Sequence, residues 1–277
     1  MGDLVSVIIP CYNQGIYLYE ALDSVYKQTY QHIEIIVVND GSTDEKTLEI
    51  LSSLSNESSI KILNIQKSNP SVARNFGISK CSGSFFLPLD ADDRLHPSFI
   101  ERTLEILKTS DTIAGVSSWA MQFGAKSGIK TLEGGGIENF IRYNNCTVTA
   151  LLKKSIWEEI GGYDENMREG FEDWEFYINL TKRGYKIVII PEPLFYYRIK
   201  TKSRNTVALV KRPEIYRYII NKHRDVFDQY YPQIIYELEQ DLQKTVQAFM
   251  HSTNYRLGNF LLFLPRKILQ WIKAFLP

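Results

Sequence analysis

The sequence predicts an α/β fold: a mostly parallel sheet flanked by helices, followed by a helical extension at the C-terminal end. Three observations lead there. Apolar runs at residues 5–10, 33–38 and 85–89 have the length and content of buried strands, and helical patterns separate them. Each run ends in a polar signature, namely Cys11-Tyr12-Asn13, Asn39-Asp40-Gly41-Ser42 and Asp90-Ala91-Asp92-Asp93. In an open α/β sheet, polar groups that follow separate strands converge on one crevice beyond their carboxyl ends. Finally, the regular alternation lapses after residue 110, and residues 208–277 read as helices.

The elements follow in order. Residues 5–10 form the first predicted strand, 18–27 a helix, and 33–38, rich in isoleucine and valine, the second strand. Thr43-Asp44-Glu45 supplies a helix start, and Leu48, Leu51 and Leu54 are assigned to the buried face. Residues 60–65 read as a strand, 71–79 as a helix carrying Arg74 and Asn75, and 85–89 as the fourth strand. Such a βαβαβαβ run implies parallel strands covered by helices. A helix over 97–108 has Pro97 near its first turn and Leu104 and Leu107 toward the core. Residues 114–136 alternate apolar and polar among glycines, as half-exposed strands and turns do, and Gly134-Gly135-Gly136 reads as a mobile loop. Residues 146–152 read as a strand, 155–160 as a helix stopped by Gly161-Gly162, 171–182 as a helix closed by Gly184, and 186–190 as a strand. The domain therefore has one half over 1–110, a second over 111–207, and an extension over 208–277 with helices at 213–224 and 231–249.

Lysine plus arginine and aspartate plus glutamate balance at 32 each, so no global field recruits nucleic acid and any anion must be held locally. A chain of 277 residues with 44% hydrophobic content can bury a full core. Cys11, Cys81 and Cys146 are odd in number and far apart, which argues against a structural disulfide or zinc site and for a reducing compartment. The start has no basic region before its short apolar run, so no secretory signal is read; Gly2 and Ser6 match a lipidation pattern only formally. No stretch of about 20 apolar residues predicts a membrane span. Over residues 257–276, Phe260, Leu261, Leu262, Phe263, Trp271 and Phe275 are interspersed with Arg266, Lys267 and Lys273, just after Arg256, and Pro265 divides the run. That composition fits a helix lying on a membrane surface, or one packed on its own domain or on a second copy in a homodimer. The expected location is cytoplasmic, peripheral on the inner face of the membrane in the first case.

Three carboxylates within four residues, Asp90, Asp92 and Asp93, repel one another unless a cation, a basic ligand or water relieves them. Capping of the helix at Pro97 explains Asp93 alone. Glu172 and Asp173 open a helix, where acids are favoured by the dipole whether or not they catalyse. Together with Val5-Ser6-Val7-Ile8-Ile9-Pro10, Ala73-Arg74-Asn75 and Glu172-Asp173-Trp174, the strand-end signatures resemble family 2 glycosyltransferases of the GT-A fold, whose central sheet is Rossmann-like and mostly parallel. The resemblance spans about residues 4–205, with the motifs in the family's order.

That resemblance implies an inverting, non-processive glycosyltransferase that uses a nucleoside diphosphate donor, a UDP-sugar, and acts on an acceptor hydroxyl of a glycan or lipid-linked saccharide. The half over 1–110 would bind the nucleotide sugar and the half over 111–207 the acceptor. Pro10, Tyr12, Asn13, Asp40, Gly41, Ser42, Arg74, Asp90 and Ala91 would line the donor site. Tyr12 would stack on the base, Asp40 would accept a hydrogen bond from a uracil-type edge, and Arg74 would pair with the diphosphate or base. Asp92, with Asp90, would hold a divalent cation, Mg²⁺ or Mn²⁺. Asp173 would take the acceptor proton and Glu172 would contact the acceptor, while Trp174 is either part of the acceptor platform or core. Relatives often carry a histidine after the Tyr-Arg pair; here Tyr197-Arg198-Ile199-Lys200 places a lysine there. Arg198 and Lys200, with Lys202 and Arg204 nearby, would instead meet the diphosphate on a loop. Processive relatives carry a Gln-x-x-Arg-Trp motif and membrane spans, and neither is found here. A sugar-phosphate nucleotidyltransferase would need a basic glycine-rich loop near residues 10–15, and a dehydrogenase a Gly-x-Gly-x-x-Gly. A non-catalytic binding or scaffolding subunit would have no need of both Asp92 and Asp173. The whole reading requires those two residues to face one cavity.

Overall fold

The computed structural model describes residues 3–201, 208–260, 268 and 270. Expectations placed on Gly2, Lys202, Arg204, Leu261, Leu262, Phe263, Pro265, Arg266, Lys267, Trp271, Lys273 and Phe275 lie outside the described residues. The chain divides into two units, Met1–Val226 and Phe227–Pro277.

In the first unit the strands run β1 (Val5–Cys11), β2 (Ile33–Asp40), β3 (Ile60–Ile65), β4 (Phe85–Pro88), β5 (Arg94–Leu95), β6 (Ile113–Gly124), β7 (Gly128–Lys130), β8 (Leu151–Lys153) and β9 (Lys186–Ile199). They form one sheet in the order β3-β2-β1-β4-β8-β6-β9-β5, with β7 beside β6. The helices are α1 (Gly15–Tyr26), α2 (Glu45–Leu54), α3 (Pro70–Ser79), α4 (Phe99–Leu107), α5 (Ile137–Phe140), α6 (Lys154–Ile160), α7 (Glu172–Thr181) and α8 (Arg212–Lys222). From β3 to β4 every pairing is parallel, as the helical crossovers require. The sheet then changes polarity: β8 runs antiparallel to both β4 and β6, whereas β9 lies parallel to β6. The long registers are parallel and the short ones antiparallel.

The central strands β1 and β2 are buried on both faces, which is why they read as continuous apolar runs. Their side chains Val5, Val7, Ile9, Ile35 and Val37 form the main core with Leu18, Leu22 and Val25 of α1 and Leu51 and Leu54 of α2. Helix α1 starts at Gly15, earlier than the expected residue 18, because Gly15 donates its N–H to Thr47 Oγ1 at 2.8 Å. A Cβ on Gly15 would lie 2.6 Å from Thr47 Cα, so only glycine permits this approach. On α2 the buried stripe is Thr47, Ile50, Leu51 and Leu54, and Leu48 is 42% exposed. A repeat of three residues drifts off a helix face where 3.6 stays on it.

Three expected strands differ. Residues 146–152 yield only β8 at their end, since the carbonyls of Thr147 and Thr149 are taken by Tyr177 Oη and Ser117 Oγ, each at 2.6 Å, instead of a ladder. Strand β9 continues past Pro191 and Pro193 to Ile199, the prolines falling where the β6–β9 register shifts. Strand β6 is mostly buried over its first half, not half-exposed. Gly135 is also tied to β9, exchanging two backbone hydrogen bonds with Ile187 at 2.7 and 3.0 Å, so the triglycine segment is anchored. The first unit extends through α8 to Val226, beyond the expected boundary at 207, because Ile215, Ile219 and Val226 are buried.

Most of the described part of the second unit is helix α9 (Arg224–His251), which contains Pro232 and exposes Tyr231, Ile235, Leu238, Leu242 and Phe249. No helix among the described residues is long and apolar enough to cross a membrane.

Helix α3 sits on the sheet through Gly77, where a Cβ would lie 2.5 Å from Ile8 Cγ2 and 2.9 Å from Val38 Cγ2. Both neighbours are β-branched residues of central strands and have little freedom to yield. Gly77→Val is expected to destabilise the first unit by about 2 kcal/mol through overpacking, read as a lower urea midpoint with native far-UV circular dichroism retained in buffer.

Candidate active site

A cavity of about 580 Å³ opens beyond the carboxyl ends of the parallel strands. From β1 it receives Pro10 and Tyr12, and from β2 Asp40. Tyr12 is 41% exposed, so it is not a core aromatic. Lys67 Nζ lies 3.9 Å from the centroid of its ring and 2.7 Å from Asp40 Oδ2. The other carboxylate oxygen of Asp40 accepts from Ser68 N at 2.8 Å and Ser68 Oγ at 2.7 Å. The aromatic face, the carboxylate and an ammonium are thus held together, an arrangement that offers both an acceptor and a donor to a planar base.

Asn13, Gly41 and Ser42 frame this corner and do not line the cavity. Asn13 has a left-handed backbone, φ 52°, and its Oδ1 accepts from Thr43 N and Asp44 N at 2.8 and 3.1 Å. Its own N–H donates to Ser42 Oγ at 3.1 Å. Gly41, at φ +66°, leaves its Cβ position 2.5 Å from Lys67 N, so a side chain there would displace the lysine segment.

The acidic tetrapeptide after β4 lines the floor with Asp90, Ala91, Asp92 and Asp93. Strand β5 pins its far end to β9 by pairing Arg94 with Tyr196. Asp93 is buried and accepts from Arg198 N at 2.8 Å; it does not cap α4, whose cap position is Ser98. Burial, with the charges of Asp92 and Asp90, raises its pKa well above the ordinary carboxylate range. The Arg198 guanidinium is committed to the scaffold: Nε donates to Asp92 O at 2.8 Å, Nη2 pairs with Glu20 Oε2 at 2.9 Å, and Tyr17 and Phe123 face it at 4.5 Å. Arg198 therefore lines the cavity as a brace of the acidic turn, where a diphosphate ligand was expected. Lys200 is placed differently, its Nζ 2.6 Å from Asp92 Oδ2 and 4.8 Å from the Tyr17 ring.

Arg74 also departs from expectation. Its side chain is only 4% exposed, with Nη2 2.8 Å from Asp90 Oδ1 and Nη1 2.8 Å from Glu172 Oε1. Burial opposes its charge, but Asp90 and Glu172 outweigh that and raise its pKa. Both hydrogen-bonding edges used here are occupied by carboxylates, so Arg74 joins the two sides of the cavity and is not a free phosphate ligand. Asn75, one residue on, takes Tyr163 N onto Oδ1 at 2.9 Å and donates Nδ2 to Tyr163 O at 2.8 Å, which fixes the Gly161-Gly162 loop leading to α7.

Helix α7 begins after Phe171, a non-glycine residue at φ 60°. Its first turn carries Glu172, Asp173 and Glu175. Glu172 faces Arg74, and Glu175 faces Lys222 and His223 at 2.8 and 2.7 Å. Asp173 has no ion pair among the described residues. Burial, then the neighbouring Glu172 charge, raises its pKa, while Asn144, Arg74 and the Trp174 N–H act in the opposite direction. A carboxylate so placed in a first turn, with raised proton affinity, suits proton acceptance. Trp174 is 1% exposed and donates Nε1 to Phe140 O at 2.6 Å, so of its two expected roles it fills the core one.

Asp90, Asp92, Glu172 and Asp173 line the same cavity, as the sequence reading required. Among the described residues no three His, Cys, Asp or Glu side chains converge as a complete metal cage. Asp90 and Asp92 supply hard oxygen donors, each with one oxygen engaged by Arg74 or Lys200. Two carboxylates suit a Mg²⁺-type ion that completes its shell with phosphate oxygens and water. Lys67, Lys130, Asn144, Cys146 and Leu209 had no assigned role in the sequence reading. The last four line the cavity from segments after residue 110, with no motif to mark them. The Cys146 thiol is buried and pushed up to about 12, so it is not a nucleophile.

Comparison with known proteins agrees with this geometry. Residues 6–171 match the family described as Glycosyl transferase family 2. An uncharacterized glycosyltransferase of Haemophilus influenzae is 28% identical over 99% of this chain and 96% of its own length. Glycosyltransferase GlyG of Streptococcus pneumoniae is 36% identical over 40% of this chain and 37% of its own. Among solved structures, S. aureus TarS 1-349 in complex with UDP-GlcNAc superposes with a TM-score of 0.65 at 21% identity, covering 78% of this chain and 64% of that one. The same protein in complex with UDP gives 0.60 at 20% identity over 71% and 60%. The present chain thus spans somewhat under two thirds of these solved neighbours, which share its GT-A fold.

Removing the Arg74 cation leaves the buried Glu172 and the partly exposed Asp90 uncompensated. Arg74→Met is expected to cost about 3 kcal/mol in thermal or urea unfolding, and Arg74→Lys to recover only part of it, since one ammonium cannot span both acids as a planar fork does.

Proposed function

Because this chain belongs to glycosyl transferase family 2, we propose that it moves a sugar, with inversion, from a nucleoside diphosphate to an acceptor hydroxyl. The donor assigned is a UDP-sugar and the acceptor a glycan or lipid-linked saccharide of the cell envelope. One observation carries the reading: a single cavity is lined both by the acidic turn, Asp90 and Asp92, and by Asp173 at the start of α7. The solved neighbours in complex with UDP and UDP-GlcNAc support uridine in the donor.

In this reading the base lies on Tyr12, with Asp40 accepting its N–H and Lys67 donating to an adjacent carbonyl. The diphosphate lies over the acidic turn, where Lys200 shifts from Asp92 toward it. Asp92 and Asp90 are the seat proposed for Mg²⁺ or Mn²⁺, which when bound neutralises charge on the leaving diphosphate. Asp173 receives the proton of the acceptor hydroxyl while the acceptor oxygen bonds to the anomeric carbon and the bond from that carbon to the diphosphate oxygen breaks. Displacement in one step from the opposite face inverts the configuration. Glu172, held by Arg74, is assigned to the acceptor side, next to the base.

The C-terminal segment carries a second part of the proposal. After residue 251 the sequence has Arg256, Arg266, Lys267 and Lys273 and no aspartate or glutamate, which supports peripheral attachment to an anionic membrane face in the cytoplasm. The full chain is expected to sediment with anionic vesicles and a chain truncated before Leu257 to remain in solution. A dimeric mass lost on the same truncation, without vesicle binding, would assign the segment to a second subunit instead.

Asp173→Asn is expected to lower kcat on the order of 10²–10⁴-fold while UDP still binds by isothermal titration, as loss of a general base requires. Undiminished transfer would exclude the assignment. The base acts deprotonated, and its pKa is raised, so activity should fall as pH drops through a value above the ordinary aspartate pKa of about 3.9. A kcat profile flat down to that value would contradict it. Chelation with EDTA should abolish transfer and added Mn²⁺ restore it; full activity in EDTA would show that Lys200 and its neighbours neutralise the diphosphate unaided.

A further inference from the structure

We infer that the segment 208–223, beyond the strand-and-helix domain foreseen from the sequence, is a strap that positions helix α7, with His223 and Lys222 acting as positioning residues for Asp173. The inference rests on the role proposed for Asp173.

The strap follows α7 along its length. At the start, Gly170, at φ +122°, has its Cβ position 2.7 Å from Ala208 Cβ, so a side chain there would push the strap away. Lys211 Nζ meets Glu169 Oε1 at 2.8 Å. The Tyr216 ring packs 4.6 Å from Trp174 and 6.4 Å from Phe171, the residue held in a left-handed conformation just before the two site acids. Just beyond the strap, Lys182 of the α7 cap pairs with Asp225 at 3.4 Å.

The decisive contact is in the first turn. Glu175 is fully buried, two residues beyond Asp173, and its Oε1 takes both Lys222 Nζ at 2.8 Å and His223 Nε2 at 2.7 Å. Lys222 also reaches Asp164 Oδ2 at 2.6 Å, and Tyr218 Oη donates to the same oxygen at 2.7 Å, so the loop before α7 is caught by the same helix. An ordinary stabilising face would be apolar. A carboxylate enclosed against a lysine and an enclosed histidine is costly to bury and strict in geometry, since its charge is compensated in one arrangement only. That strictness fixes both the rotation and the axial position of α7. Arg74 holds the helix on the opposite acid, Glu172, so the residue between them is aimed from two directions. Reacting groups lose about 10²-fold in rate for a displacement near 1 Å, which makes such aiming consequential.

The test separates aiming from folding. UDP release from a panel of UDP-sugars, to water or to acceptor saccharides, is measured for wild type, Asp173→Asn, His223→Ala, His223→Gln and Lys222→Met, with UDP affinity by titration and thermal midpoints alongside. The expected result is a kcat at least tenfold lower for His223→Ala with UDP affinity unchanged, and recovery in His223→Gln, whose amide can donate to Glu175. Lys222→Met, at a partly exposed position where methionine keeps the length of the stem, should lower kcat several-fold in the same selective way. Wild-type kcat in Lys222→Met together with either wild-type kcat or failure to fold in His223→Ala overturns the inference. So does a parallel loss of kcat and UDP affinity. If wild type releases no more UDP than Asp173→Asn, the role proposed for Asp173 falls, and the positioning role with it; if it does and the strap variants match wild type, only the strap is refuted.

Discussion

The geometry of the site depends on one enclosed guanidinium. Arg74 stands between Asp90, at the end of a central strand, and Glu172, at the start of α7, at 2.8 Å from each. Neither acid is near the other in sequence, and each would be costly to bury beside the other's charge. The planar fork of arginine satisfies two carboxylates in different directions at once, which a lysine cannot do. The cation thereby sets the spacing between the acidic turn and the start of α7, which line the cavity together. Asn75, on the same helix, fixes the glycine loop that delivers α7 to this bridge.

The remaining charges are apportioned by the same logic. Across the chain the formal charges cancel, 32 against 32, and within the site the cancellation is local. Asp40 is balanced by Lys67 and Ser68, Asp92 by Lys200, Asp93 by the Arg198 N–H, and Glu175 by Lys222 and His223. Asp93 and Asp173 are the acids held by hydrogen bonds without an ion pair among the described residues. Burial first, then the charge of neighbouring acids, raises the proton affinity of both.

The first half of the sheet was legible in the sequence because parallel strands advertise themselves: runs such as Ile35 to Val38 are apolar on both faces, and the polar residues that end them fall together by topology alone. The acidic turn and Asp173 were legible for the same reason, through motif order. What was not legible is which partner each charge takes. Arg74 and Arg198 read as cations available to a diphosphate, yet both are consumed by acids and carbonyls distant in sequence, a fact set by packing and not by spacing. Residues 146–152 read as a strand, but side-chain hydroxyls capture their carbonyls. Strand β9 was cut short at its prolines, which the register shift accommodates. The strap was assigned to a separate extension because the buried apolar stripe of α8 is narrow, Ile215 and Ile219, and its hold on α7 comes from ion pairs and one aromatic ring, contacts that no periodicity announces.

The change of polarity between β4 and β8 divides the sheet, and with it the cavity. On one side the walls are strand ends locked into long parallel registers, where any insertion would shift every neighbouring side chain. On the other they are Lys130, Asn144, Gly170 and Leu209, contributed by a short edge ribbon and by connecting segments. Substitutions or length changes in those segments leave the parallel registers untouched. The molecule thus combines a rigid wall of strand ends with a wall of connecting segments that can vary in sequence and length without disturbing it.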